Sequence, residues 1–131
     1  MNKININQKS LIGITALLVH VANIDEIYTE KEKKIIKDFI GSFSQNDTEV
    51  ETIFKEAEKL ESDSIQLLSF TNLVKKESLE VKTEIIEHLW KIIVSDESVD
   101  QYESNIMRRI CGLIYFPDKL SDDIKLKILS M

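Results

Sequence analysis

Apolar residues recur three or four positions apart in one stretch of this chain after another. The first stretch places Leu11, Ile14, Leu18, Val21 and Ile24 at the spacing of one helical face. No stretch shows the convincing period-two alternation of a half-buried strand. The chain also has only 3 glycines and 1 proline, so it is poor in the residues that build tight turns between strands. We therefore predict an all-α fold of about seven helices.

Polar residues that can cap a helix stand before the apolar stretches. Three of the predicted caps have a Glu three residues later, which is the spacing of a capping box. Pro117 cannot continue a helix and ends the sixth. Six caps are predicted, for helices one, two, three, five, six and seven: Ser10, Thr29, Thr48, Ser78, Asp100 and Ser121.

The length, charge and cysteine content restrict the class of protein. A chain of 131 residues with 43% apolar and 31% charged residues is expected to form one soluble domain, residues 1–131, with its own core. The apolar run 11–24 is too short to span a bilayer. The formal charge of -6 and the lack of a long Lys/Arg run argue against nucleic acid as a partner. A single cysteine, Cys111, forms no intrachain disulfide, and we predict a cytoplasmic protein.

The chain contains an internal repeat. A shift of 71 positions brings Asp25 onto Asp96 and Gly41 onto Gly112 without a gap, together with matching apolar positions. The repeated segments are 11–43 and 82–114. We predict that they form two related helical hairpins about an approximate two-fold axis within the single domain.

An acidic phrase lies between the two helices of each predicted hairpin. The phrases are ANIDEIYTEKE, residues 22–32, and IVSDESVDQYE, residues 93–103. Two such phrases in a chain of this length resemble the tellurite-resistance TerB-like family. The resemblance in the second copy also includes Trp90 and the Arg108-Arg109 pair. Glu26 and Glu97 depart from the family pattern, because each stands where the family usually has Gly.

The resemblance implies a small all-helical bacterial domain without enzymatic activity. It further implies a link to stress response and tellurite resistance, and acidic clusters that bind divalent cations such as calcium. Carboxylate oxygens are the ligands that Ca²⁺ and Mg²⁺ prefer. Seven residues of the two phrases are candidate ligands for such an ion: Asp25, Glu26, Glu32, Asp96, Glu97, Asp100 and Glu103.

Helix chemistry offers a second interpretation of the same carboxylates. Glu32 and Glu103 are each placed to close a capping box, and Asp100 is placed as an N-cap. Asp25 and Asp96 follow helix ends and could bond the amides of the next helix start. Neither phrase is an EF-hand, since the loop starting at Asp96 lacks the Gly at position six and the Glu at position twelve.

The sequence predicts no catalytic residues. The two histidines, His20 and His88, belong to no zinc-binding set, and no nucleophile has a recognisable setting. We predict a non-enzymatic module that responds to Ca²⁺ or Mg²⁺ or binds a protein partner or a second copy of itself. The alternatives are a metal-dependent hydrolase that uses the acidic loops and a pure protein-interaction scaffold. Tyr115 and Phe116 are either packed residues or an exposed anchor for a partner.

Overall fold

The structure, a computed structural model, describes residues 6–23, 28–44, 46–63, 67–95 and 101–130. No strand occurs in these ranges, which contain seven helices and confirm the predicted all-α fold. The helices are α1 (Gln8–Ala22), α2 (Glu30–Gly41), α3 (Asp47–Asp63), α4 (Leu67–Lys75), α5 (Leu79–Val94), α6 (Gln101–Leu113) and α7 (Asp118–Leu129).

Helix α1 lies at the centre of the fold and packs against α2, α3, α4 and α5. Every residue from 13 to 19 is buried, so the helix is enclosed on all sides rather than along the single face that its spacing predicted. Ile14, Leu17 and Leu18 are fully buried, and each side chain of this size contributes about 1.5–3 kcal/mol by leaving water. The apolar run near the amino terminus is therefore the core helix of this domain.

The close packing of α1 on α4 depends on Gly13. A Cβ atom at this position would collide with Cδ1 of Leu73 on α4. Gly13 thus lets the two helices approach each other at a point where any larger residue would force Leu73 to move.

The predicted helix starts are partly confirmed. Thr29 forms a capping box with Glu32, and the Ser78 side chain accepts a hydrogen bond from the amide of Val81. The other tested caps were wrong. Asn7 caps α1 instead of Ser10, and the Asn46 side chain accepts from the amides of Thr48 and Glu49 at the start of α3. Asp100 lies outside the described residues.

Ser121 was also wrongly predicted as a cap. Helix α7 begins earlier, after Pro117, and Ser121 is 4% exposed inside it. Its Oγ accepts a hydrogen bond of 2.9 Å from the indole N–H of Trp90 on α5. This bond joins α5 to α7, and it satisfies a polar group that burial would otherwise leave without a partner.

Tyr115 and Phe116, at the end of α6, have opposite environments. The amide of Phe116 bonds the carbonyl of Cys111, and Tyr115 between them has a left-handed backbone with φ 61°. Phe116 is buried, which excludes it from an exposed anchor, whereas Tyr115 is exposed and lies under the ammonium of Lys75. Cys111 is buried, and burial raises the pKa of its thiol.

None of the helices in the described ranges has the length and apolar character of a membrane span. The internal repeat of 11–43 and 82–114 stays a prediction.

Candidate functional site

Most of the predicted ligand residues lie outside the part of the chain that the structure describes. Asp25 and Glu26 fall in the undescribed segment 24–27, and Asp96, Glu97 and Asp100 fall in 96–100. Glu103 belongs to α6, but its side chain is also outside the description. Of the seven candidate ligands, Glu32 is the one whose surroundings are described.

Glu32 closes the capping box at the start of α2. Its Oε1 accepts hydrogen bonds from the Thr29 amide at 2.8 Å and from the Thr29 hydroxyl at 3.1 Å. In return, the Thr29 hydroxyl accepts from the Glu32 amide at 3.1 Å. Glu32 is only 7% exposed, so this carboxylate is fixed at the point where the chain enters α2. A cap of this kind contributes about 1 kcal/mol.

A second buried carboxylate, Glu61 of α3, lies at the end of α1. Its Oε2 is 3.4 Å from Nδ1 of His20, and its Oε1 accepts from the side-chain amide of Asn23 at 3.3 Å. Glu61 is 9% exposed. We call His20, Asn23 and Glu61 the polar network. It connects Asn23, the last described residue before the first acidic loop, to the last turn of α3.

The polar network was not predicted from the sequence. Glu61 bonds residues 41 and 38 positions away, and no local spacing marks such a partnership. A weaker signal was available in the sequence. Glu61 lies four residues after Ala57, on the same face of α3 as Ile53 and Phe54. A Glu on a face that packs against the core needs a polar partner.

Tyr28 lies on the other side of the first undescribed segment, and its hydroxyl oxygen is buried. Burial raises the pKa of this hydroxyl well above its ordinary value, and the negative charge of Glu58 raises it further. Glu32 and Glu61 act in the same direction. Three carboxylates from α2 and α3 therefore act on one tyrosine hydroxyl, while the ammonium of Lys33 lies 5.0 Å from the centre of the same ring.

One hydrogen bond connects the surroundings of the two acidic phrases. The ammonium of Lys31, beside Glu32, donates to the carbonyl of Ser95 at 3.1 Å. Ser95 is the C-cap of α5 and directly precedes Asp96. A cation is favoured at a helix carboxyl end, where the last carbonyls carry partial negative charge. The start of α2 and the end of α5 consequently lie side by side.

The described residues alone do not form a metal centre. They contain no group of three or more His, Cys, Asp or Glu side chains that could hold an ion. His88 is buried and contacts the carbonyl of Glu84 and the ring of Phe39.

Comparison with known families decides the classification. A family model described as Tellurite resistance protein TerB matches residues 11–126. The chain belongs to the TerB family. This membership confirms the resemblance that the acidic phrases indicated, and the match includes both phrases, 22–32 and 93–103. No curated protein and no solved structure gives a significant match.

Proposed function

We propose that this TerB-family protein is a non-enzymatic module that binds one divalent cation, Ca²⁺ or Mg²⁺, with both acidic phrases together. The proposed ligands come from Asp25, Glu26, Asp96 and Glu97, with further carboxylates contributed by Asp100 and Glu103. Glu32 is the least suited, because its carboxylate already closes a cap.

The observation that carries this proposal is the bond between Lys31 and Ser95. It supports a shared site, since it brings the residue before Glu32 next to the residue before Asp96. The formal charge of -6 favours the approach of a cation. Ca²⁺ takes six to eight oxygen ligands in flexible geometry, which two acidic loops offer better than one.

A calorimetric titration of the metal-free protein with Ca²⁺ and then with Mg²⁺ tests the proposal. We expect saturable binding of a single ion per chain. Asp25→Asn and Asp96→Asn should each weaken it about tenfold or more, because each removes a charged ligand of the same site. Asp38→Asn, an exposed change at the other end of α2, is the matched control and should bind as the wild type does.

The possible results separate the alternatives. Binding of two ions, each lost in only one variant, would show two independent loops and contradict the shared site. The absence of both heat and any rise in melting temperature at millimolar ion would refute cation binding altogether. The function would then have to be sought in protein partners.

A further inference from the structure

A cleft between α5, α6 and α7 lies outside the acidic phrases and has a volume of about 420 Å³. This volume is within the range of about 300–1,000 Å³ that small-molecule sites occupy. Trp90 of α5 and Met107 of α6 contribute the apolar part of its lining. They are 3% and 1% exposed, so the apolar lining belongs to the packed core and keeps its shape.

Hydrogen bonding fixes the apolar lining further. The indole N–H of Trp90 is held by Ser121, which itself lines the cleft. The ammonium of Lys125 lies 5.2 Å from the centre of the indole ring. The face of the indole ring thus already holds the ammonium of Lys125, in the cation–π arrangement that the quadrupole of an aromatic ring favours.

The charged groups of the lining come from two different helices. Arg108 projects from α6, whereas Asp118, Asp122 and Lys125 belong to α7. Among the described residues, none of these four forms an ion pair within 4.0 Å. The cleft thus brings two carboxylates, a guanidinium and an ammonium to one volume without a direct salt bridge between them, and the ammonium of Lys125 lies over the Trp90 ring.

We propose that this cleft binds a small zwitterion of the α-amino acid class. The ammonium group of the ligand pairs with Asp118 and Asp122, and its carboxylate pairs with the fork of Arg108. Trp90 and Met107 are buried beneath these groups, so the site recognises the two charged groups of the ligand rather than its side chain. This site is independent of the proposed cation site, because it uses none of the acidic-phrase residues.

The protein carries its own reporter for this test, since Trp90 is the single tryptophan. Glycine, L-alanine, L-glutamate and L-lysine are titrated while the fluorescence of Trp90 is recorded. We expect at least one of them to change the fluorescence saturably, with a dissociation constant of about 1 mM or lower. Two analogues of alanine test the two charged groups separately: N-acetylalanine lacks the ammonium, and alaninamide lacks the carboxylate. Each should bind at least about tenfold more weakly than alanine.

Neighbouring residues provide matched control variants. Arg108→Gln and Asp122→Asn should each weaken binding about tenfold. Arg109→Gln and Asp123→Asn make the same chemical changes at exposed residues outside the lining and should leave binding unchanged. No saturable response to any of the four amino acids, equal losses in the control variants, or equal binding of N-acetylalanine or alaninamide would overturn the proposal.

Discussion

At the end of α1 the carboxylate of Glu61 is buried and bonded to His20 and Asn23. In the cleft beside Trp90, by contrast, the carboxylates of Asp118 and Asp122 are exposed, and neither forms an ion pair within 4.0 Å to any residue that the structure describes. The two regions give similar side chains different tasks. A buried carboxylate must be paired, so its partners and its position are fixed by folding. An exposed carboxylate is already solvated, and a ligand can replace its water.

The largest effect is expected from breaking the polar network. Glu61→Ala leaves the side chains of His20 and Asn23 without their common partner in a partly buried place. We expect the free energy of unfolding to fall by about 2 kcal/mol, as measured by urea denaturation.

A change on the exposed side of the same helix serves as the control. Glu56→Ala should alter the free energy of unfolding by less than about 0.5 kcal/mol. If Glu61→Ala proves equally mild, the network does not stabilise the fold, and the contrast between the two regions is wrong.

A pH-dependent effect of intermediate size is expected at Tyr28. Below about pH 10 the hydroxyl is protonated in both the folded and the unfolded chain, so it adds no pH dependence. At higher pH the unfolded chain releases the proton while the folded chain keeps it, because burial and Glu58 raise the pKa in the fold. The free energy of unfolding should therefore fall by up to about 1.4 kcal/mol for each further pH unit on account of this group.

The variant Tyr28→Phe isolates this contribution. Stability curves of the wild type and the variant should run parallel up to about pH 10, and above it the wild-type curve should fall more steeply, since only the wild type carries the Tyr28 proton. Tyr115→Phe removes an exposed hydroxyl and is the matched control. Parallel curves over the whole range would contradict a raised pKa of the Tyr28 hydroxyl.

The same contrast explains what the sequence could predict. The capping box of Thr29 and Glu32 and the cap at Ser78 were predictable, because partners three residues apart leave a local signal. The helical spacing likewise predicted the all-α fold. The prediction that Ser121 caps a helix was wrong for the opposite reason, because its partner Trp90 is 31 positions away. A serine near a helix start has the same sequence pattern whether it caps the helix or is buried inside it.

The candidate sites differ in the same respect. The acidic phrases were found through a repeated pattern and a family resemblance, and the family match bears out that resemblance. Glu61 and the cleft beside Trp90 were missed, because they depend on which helices pack together. Helix packing brings Arg108 to the same cleft as Asp122, and neither residue has a sequence pattern that indicates the other.

The smallest expected effect tests whether the cleft charges are independent. In a double-mutant cycle on the unliganded protein, Arg108→Gln and Asp122→Asn should each change the free energy of unfolding by less than about 0.5 kcal/mol, with a coupling below about 0.3 kcal/mol. Their separation is the physical reason, since no ion pair within 4.0 Å joins them.

A cycle on His20→Ala and Glu61→Ala provides the positive control, with an expected coupling of about 1 kcal/mol. A coupling of that size between Arg108 and Asp122 would instead mean that they pair in solution. The cleft would then satisfy its own charges, as the polar network does, and an amino acid could bind there only by breaking that pair.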